Sequence, residues 1–331
     1  MEEGWARLTT DGSAAKERAV RRSVHSSAQA AVRTISLDML PTGVIDVPAR
    51  PVSRQRWPFR TKSRSLLAIL HYEGASPRSS CSMLTLYKYA LGPILLAQAS
   101  WLRRTALRLP EANGPRQGSE GADDGSTAPL RILVVGDSSA AGVGVDEQEH
   151  ALAQPVARLL ACATGRRVEW QLIAKSGVNT GEALKLSMCS TIGPADYLVT
   201  ALGTNDVTSQ RKPGQFIRDY IALADHLGLR TGAAGIVVTG LPPLRILPAA
   251  PHPLRWYLGR YAIRLDRALR RWADRHPARR YVSLEWAANP AEMAIDRYHP
   301  GPNQYRRWAE LVTEKILALI SETRPPVHAG K

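Results

Sequence analysis

The stretch V-V-G-D-S-S-A-A-G-V-G-V, residues 134–145, decides how the chain is organised. It leaves a run of β-branched residues, turns at once through G-D-S, and then places two more glycines, Gly142 and Gly144, within six residues. A glycine-rich turn after a strand usually either cradles a phosphate or presents a nucleophile, and these two tasks need different side chains. The remainder of the chain has to decide between them.

Three familiar turns of this kind are excluded by their spacing. A P-loop requires G-x-x-x-x-G-K-[ST], but Gly142 follows Gly136 by one residue too many and precedes Val143 instead of lysine. The dinucleotide-binding fingerprint G-x-G-x-x-G requires a third glycine that this stretch lacks, and an acidic residue that is not found at the end of the second predicted strand. The nucleophile elbow G-x-S-x-G has Ala140 in place of its second glycine. What remains is Ser138, just past a strand and near the expected start of a helix, which needs a base, an orienting carboxylate and oxyanion donors.

From residue 130 onward, short β-rich runs alternate with longer helical segments. The predicted strands are 131–135, 168–173, 197–202, 235–241 and 281–284, and the predicted helices are 152–164, 180–190, 214–227, 254–276 and 303–321. Strands separated by helices make right-handed crossovers and therefore a parallel sheet covered on both faces. The expected fold class is α/β, a flavodoxin-like three-layer α/β/α sandwich with a five-stranded parallel sheet and its site at the carboxyl ends of the strands.

Composition divides the chain into five parts. Residues 1–82 are rich in Ser, Arg, Ala and Pro without a sustained period, and are expected to be disordered or an over-long gene prediction, with Met83 as the true start. The other expected parts are an apolar helical segment at 83–110, a polar linker at 111–129, the α/β/α domain at 130–322 and a tail at 323–331.

The apolar stretch at 84–101 is interpreted as a helix that lies against the domain or on a membrane. Lys88 and a G-P pair interrupt it, which leaves fewer than the roughly 20 apolar residues that a bilayer span requires. The A-Q-A triplet at 97–99 resembles a cleavage site, but the arginines that follow oppose export. The expected location is cytoplasmic, peripheral on the inner membrane face; the alternative is export, if the segment after Met83 is a signal peptide.

The formal charge is +15, from 44 Lys and Arg against 29 Asp and Glu. Much of the excess lies on one predicted helix, whose arginines recur opposite an apolar face: Arg260, Arg264, Arg267 and Arg271. This pattern is typical of a solvated outer face, with contact to anionic lipid or an acidic substrate as the alternative. No stacked-aromatic, zinc-finger or helix-turn-helix motif is present, so nucleic acid is not expected as a partner. Three cysteines without a C-x-x-C pair indicate neither disulfides nor zinc, and no metal or cofactor is expected.

The base must be one of eight histidines, and one has a distinctive setting. His299 lies in a loop after the last predicted strand, in D-R-Y-H-P-G-P-N-Q-Y, residues 296–305. The spacing of three lets Asp296 accept a hydrogen bond from the imidazole, which fixes its tautomer and stabilises the imidazolium. Taken alone, D-x-x-H is common and usually structural; the G-D-S turn elsewhere in the chain strengthens its interpretation as a catalytic pair.

Candidate oxyanion donors follow the second and third predicted strands. The segment A-K-S-G-V-N-T-G places Gly177 where its backbone N–H can approach a substrate oxygen, and A-L-G-T-N-D-V places the side-chain amide of Asn205 at the same rim. Each segment alone is typical of an ordinary loop, and Asn205 alone of a turn.

The chain therefore contains four sequence blocks in a fixed order: G-D-S, a glycine after the second strand, G-x-N-D after the third strand, and D-x-x-H before the last helix. Together they closely resemble the blocks of the SGNH hydrolase superfamily, also called GDSL esterases and lipases. The resemblance covers the α/β/α domain and implies that Ser138 is the nucleophile and donates its backbone N–H to the oxyanion. It further implies that Gly177 and Asn205 are the other two donors, and that Asp296 and His299 complete the triad. The first block reads GDSS where the family name spells GDSL, at a position that the family varies.

The resemblance implies a serine esterase acting on a small-molecule or lipid ester. The loop at 242–256 is long, apolar and proline-rich, and it either walls an acyl pocket or packs over the sheet edge. Together with the apolar segment at 84–101 and the basic predicted helix at 254–276, this loop favours acyl or lysophospholipid-like esters as the substrate class. The same triad also serves carbohydrate O-deacetylases, thioesterases and acyltransferases; the alternative from another class is a non-catalytic flavodoxin-like module that binds an anion or acidic partner.

Overall fold

The structure is a computed structural model, and it describes residues 78–122 and 127–323. The disorder expected for 1–82 stays a prediction over 1–77, and the tail expected at 323–331 stays one over 324–331, because these residues lie outside the described ones. Helix α1 (Arg78–Ala90) begins just before the expected boundary at Met83, and α2 (Gly92–Thr105) follows it.

A six-stranded sheet forms the centre of the fold. Its strands are β1 (Gln117–Glu120), β2 (Leu130–Gly136), β3 (Val168–Ala174), β4 (Tyr197–Ala201), β5 (Gly235–Thr239) and β6 (Arg279–Val282). Their spatial order is β1-β3-β2-β4-β5-β6, and β2 to β6 are all parallel, which confirms the predicted parallel sheet. The strand order reverses at β2, so the loops that follow β3 and β4 diverge and leave a crevice at the carboxyl end of β2.

Strand β1 is a difference from the expected five strands. It pairs antiparallel with β3, with Gln117 opposite Gln171, inside the segment 111–129 that was expected to be a linker. Its sequence Q-G-S-E has no apolar alternation because it is an exposed edge strand, and pattern reasoning therefore missed it. Short polar edges also discourage pairing with other chains.

Helices cover both faces of the sheet. One face carries α3 (Ala153–Thr164) and α8 (Pro302–Thr323); the other carries α4 (Thr180–Cys189), α6 (Pro213–Thr231) and α7 (Leu254–Ala273), and the short α5 (Thr204–Thr208) follows β4. Successive side chains of β2 alternate between the layers: Ile132 and Val134 pack towards α3 and α8, and Leu133 and Val135 towards the other helices. The three-layer α/β/α class is confirmed.

The predicted basic helix is α7. Its apolar stripe is buried, as the helical spacing requires: Leu258, Tyr261, Leu265, Leu269 and Trp272. Arg260, Arg267 and Arg271 are exposed on the opposite side, which agrees with a solvated outer face. Among the described helices, none combines the length and apolarity needed to cross a bilayer.

Candidate active site

The carboxyl ends of the parallel strands position the predicted site residues. Ser138, Gly177 and Asn205 follow β2, β3 and β4 respectively, and Asp296 and His299 lie in the loop between β6 and α8. Parallel strands all end at the same edge of the sheet, so these loops meet although they are far apart in sequence.

Three of the predicted residues form a hydrogen-bonded series. Ser138 Oγ lies 2.9 Å from His299 Nε2, and His299 Nδ1 lies 2.5 Å from Asp296 Oδ2. Burial raises the pKa of Asp296, but hydrogen bonds from the His299 ring and from the backbone N–H groups of His299 and Tyr298 outweigh it and hold the pKa below its usual value. The ionised carboxylate therefore accepts from Nδ1–H, which leaves the lone pair of Nε2 facing the serine hydroxyl.

The loop of Asp296 is itself organised by that carboxylate. Its second oxygen accepts the backbone N–H groups of Tyr298 and His299, each at 3.0 Å, and the Ala294 N–H donates to the His299 carbonyl at 2.9 Å. The D-x-x-H spacing thus closes an Asx-type turn that fixes the direction of the imidazole.

The turn that carries Ser138 is not the start of a helix, so that expectation was wrong. Residues 138–147 form a run of turns, in which the Val143 N–H donates to the Ser138 carbonyl at 3.0 Å. Gly142 and Gly144 have φ values of +85° and +109°, which a right-handed helix does not accommodate. Helix α3 therefore starts well after the turn.

Gly144 also brings together the loops that carry Ser138 and His299. A Cβ at this position would lie 2.3 Å from the carbonyl oxygen of Pro300, the residue after His299. Only glycine allows this approach without displacing the backbone of the histidine loop.

Tyr305 of α8 supports the same turn from the opposite side. Its side chain is fully buried, and its hydroxyl lies 2.8 Å from the carbonyl oxygens of both Ser139 and Val143. Sequence reasoning missed this role, although Tyr305 closes the block that contains His299. A buried aromatic ring with a satisfied hydroxyl is a rigid support.

Two of the three predicted oxyanion donors have no partner among the residues that the structure describes, and the third, the Asn205 amide, is hydrogen-bonded. Within the described residues, the N–H groups of Ser138 and Gly177 have no hydrogen-bond acceptor. Gly177 has φ +84°, and a Cβ built there would meet nothing within 4 Å. Asn205 Nδ2 lies 3.0 Å from the Val178 carbonyl and 3.4 Å from Asp137 Oδ2, so its amide is oriented by the residue next to Gly177 and by a buried carboxylate.

Glu111 and Arg116, from the segment expected to be a linker, hold the loop that leads to Gly177. Glu111 Oε1 accepts the Ser176 N–H at 2.6 Å, its other oxygen pairs with Arg116, and Arg116 donates to the Ala174 carbonyl at 2.6 Å. Burial raises the pKa of Glu111, but these hydrogen bonds outweigh it and lower the pKa overall. No local sequence pattern indicates this contact, because its partners are 65 residues apart.

Two further carboxylates lie beneath the site and were not predicted to have a role. Asp137 accepts the Ser139 N–H at 3.0 Å, and one oxygen of Asp206 accepts the N–H and hydroxyl of Thr180 at 3.0 and 2.8 Å. Both are buried, and desolvation, opposed by these hydrogen bonds, raises the pKa of each to about 6. They tie the Ser138 turn and the start of α4 to the ends of β2 and β4.

Replacing Asp206 by asparagine is expected to stabilise the fold at neutral pH. Its folded pKa lies above the unfolded value, so ionisation between about pH 4 and 6 destabilises the native protein, and the loss is complete above that window. An asparagine oxygen can still accept from Thr180 without a buried charge. Denaturant titrations at several pH values should show a gain that grows from pH 4 to 6 to about 2 to 3 kcal/mol and then stays constant.

The exposed Asp274 provides the matched control. Asp274→Asn should show no comparable pH-dependent gain, because this carboxylate makes only a surface pair with Arg270 at 3.7 Å. A pH-independent difference between Asp206→Asn and the native protein would contradict the assignment of a buried charge.

A pocket that is partly open to solvent adjoins Ser138 and His299. Its apolar walls come from the loop after β5 and from the segments after β6: Pro242, Pro243, Leu244, Leu247, Leu284, Trp286, Met293 and Trp308. Leu244 and Leu247 also belong to the core over the sheet, so the loop at 242–256 both walls the pocket and packs on the sheet. In the part of the chain described, no group of three or more His, Cys, Asp or Glu side chains could hold a metal ion.

A parallel sheet between two helical layers defines a flavodoxin-like α/β protein. A serine, a histidine and a buried aspartate in series at its carboxyl edge form the arrangement that a nucleophilic serine requires. The model of the GDSL-like lipase/acylhydrolase family matches residues 134–307, more than half of the chain. The chain belongs to this family, which confirms the resemblance to SGNH hydrolases.

Individual proteins are also similar. The chain is 30% identical over 209 residues to a GDSL-like esterase of Mycobacterium tuberculosis; the match covers 60% of this chain and 66% of that protein, just under two thirds of it. Among solved structures, TesA has a TM-score of 0.45 and 21% identity, over 57% of this chain and 99% of its own. A carbohydrate acetylesterase from Sinorhizobium meliloti has a TM-score of 0.41 and 19% identity, over 57% and 99%.

Proposed function

We propose that the protein is a serine esterase that hydrolyses carboxylic esters of medium-length acyl chains, including lysophospholipid-like lipids. The observation that carries the proposal is the series from Ser138 Oγ through His299 to the ionised Asp296, with distances of 2.9 and 2.5 Å. Family membership supports the reaction class.

Acylation begins with proton transfer from the Ser138 hydroxyl to His299 Nε2 as Oγ attacks the ester carbonyl. Asp296 stabilises the imidazolium that forms, while the N–H groups of Ser138 and Gly177 and the Asn205 amide donate to the oxyanion. His299 then gives the proton to the leaving alcohol, and the acyl group remains on Ser138.

Deacylation repeats these steps with water as the nucleophile. His299 takes a proton from the water as it attacks the acyl-enzyme, and returns it to Ser138 Oγ as the carboxylic acid leaves. An alcohol in place of water would give acyl transfer, which product analysis with added acceptor distinguishes.

Glu111→Ala is expected to lower kcat by about 10- to 100-fold with little change in KM. The alanine leaves the Ser176 N–H without its acceptor and frees the adjoining Gly177, and displacing one oxyanion donor by about 1 Å has an effect of this size. Glu111→Gln retains an acceptor oxygen and should recover most of kcat. Steady-state kinetics on a soluble ester measure both values.

Glu120 is a matched control from the same segment. Its side chain contacts Gln154 and Arg158, remote from the oxyanion loop, so Glu120→Ala should retain the native kcat. Equal losses in the two alanine variants would indicate general destabilisation and contradict a positioning role for Glu111.

The apolar pocket beside Ser138 supports an acyl chain longer than acetyl. Kinetics on p-nitrophenyl esters from acetyl to lauroyl, followed by lysophospholipids and acetylated sugars, test this. A maximum of kcat/KM at intermediate chain length is expected. A maximum at acetyl, with release of acetate from acetylated sugars, would favour a carbohydrate deacetylase instead, and faster turnover of acyl thioesters would favour a thioesterase.

A further inference from the structure

Helices α1 and α2 form a surface with an unusual density of exposed apolar side chains. Of the eleven large apolar side chains exposed in the described part of the chain, seven lie between residues 83 and 107. They are Met83, Leu86, Tyr89, Ile94, Leu96, Trp101 and Leu107, with exposed fractions of 48 to 77%. Exposed apolar side chains at this density normally mark a surface that contacts a partner or a membrane.

The opposite side of this helical pair is fastened to the α/β/α domain. Tyr87 packs against Trp256 and Tyr257, with ring centroids 4.4 and 6.4 Å apart. Gln98 uses both ends of its amide: Nε2 donates to the His252 carbonyl at 2.6 Å, and Oε1 accepts the Leu254 N–H at 3.0 Å. Helices α1 and α2 are therefore held against the α/β/α domain by these contacts, while their exposed apolar side chains face away from it.

Basic side chains accompany the apolar ones, and acidic ones do not. Lys88 on α1 and Arg103 and Arg104 on α2 are exposed, Arg108 follows α2, and residues 83–110 contain no Asp or Glu. Within the described residues, these four cations make no ion pair with a carboxylate. Large apolar residues together with unpaired cations match the composition of a helix that lies in the interface of an anionic bilayer.

We propose that the exposed face of α1 and α2 binds the surface of a bilayer containing anionic phospholipid. Leu86, Leu96 and Trp101 enter the boundary between headgroups and acyl chains, and Lys88, Arg103 and Arg104 meet the phosphates. Neither α1 nor α2 is long and apolar enough to cross a bilayer, so the proposal places these two helices along the bilayer surface. This inference concerns where the protein binds and stands independently of the proposed reaction.

Flotation with liposomes tests the proposal with the full-length protein. Vesicles of phosphatidylcholine with one third phosphatidylglycerol are compared with vesicles of phosphatidylcholine alone, at low and high salt. The native protein is expected to float with the anionic vesicles and to be released by salt. Lys88→Gln combined with Arg103→Gln and Arg104→Gln should weaken binding on the order of 100-fold, at about 1 kcal/mol for each charge.

A second variant tests the apolar contribution. Leu86→Ser combined with Leu96→Ser and Trp101→Ser should weaken vesicle binding at least about tenfold, since each side chain loses burial in the bilayer. The matched control is Met188→Ser with Leu229→Ser, two side chains 54 and 68% exposed on α4 and α6, which should bind as the native protein does. Native thermal unfolding of all variants shows that the fold is intact.

Three outcomes overturn the proposal. The first is that the native protein does not float with anionic vesicles at low salt, and the second is that the apolar variant floats as well as the native protein. The third is a native dimer in analytical ultracentrifugation that the apolar variant dissociates, without vesicle binding; the surface would then be an interface between copies of the chain.

Discussion

Ser138→Ala is expected to lower kcat for ester hydrolysis by on the order of 10⁴-fold or more. The variant removes the only atom that can form the acyl-enzyme in the proposed mechanism, while the pocket and the oxyanion donors remain. Substrate binding should therefore persist, and a non-hydrolysed ester analogue should bind with nearly native affinity. Steady-state kinetics and calorimetry measure the two quantities separately.

Ser190→Ala serves as the matched control for this experiment. Ser190 lies just after α4, and its hydroxyl donates to the Leu186 carbonyl of the same helix at 2.8 Å. Its variant should be as active as the native protein. Residual activity in Ser138→Ala within tenfold of native would remove this serine from the reaction.

Asp296→Asn has the second-largest expected effect, a loss in kcat on the order of 10⁴-fold. The asparagine oxygen can still accept the backbone N–H groups of Tyr298 and His299, so the loop should keep its shape. An amide carries no charge to stabilise the imidazolium, and its NH₂ group favours the tautomer in which Nε2 bears the proton and cannot act as a base. The effect should therefore appear in kcat with an unchanged melting temperature.

The surface variant Asp274→Asn is again the control, with native kcat expected. If Asp296→Asn loses less than tenfold in kcat while retaining its fold, the carboxylate has only a structural role. The proposed mechanism, in which Asp296 stabilises the imidazolium of His299, would then be contradicted. A large loss accompanied by unfolding would be resolved by Asp296→Glu, which should restore the fold and part of the activity.

The parallel sheet could be predicted because its strands are short, apolar and separated by helical segments. All five residues of β4 and all five of β5 are buried, and such runs stand out against the polar segments around them. Ser138, Asn205 and His299 could be found because each follows a strand or precedes the last helix, and the ends of parallel strands converge. Pattern and topology together therefore sufficed for the fold class.

What could not be predicted depends on contacts between distant segments. Glu111 holds the loop of Gly177, and Tyr305 holds the Ser138 turn, through hydrogen bonds across 65 to 166 residues of sequence. Neither side chain has a local pattern that indicates its partner. Strand β1 was missed because a polar edge strand resembles a linker in composition. The expectation that Ser138 lies near the start of a helix was wrong, because the two glycines that follow it have positive φ; the helix predicted at 152–164 is present as α3.

The most direct test of the central claim is mass spectrometry of the protein after reaction with a fluorophosphonate, which phosphonylates activated serines. We expect one adduct per chain, located by peptide mapping at Ser138, absent in Ser138→Ala and formed far more slowly in His299→Ala. No adduct on folded native protein, or an adduct on a different serine, would contradict it.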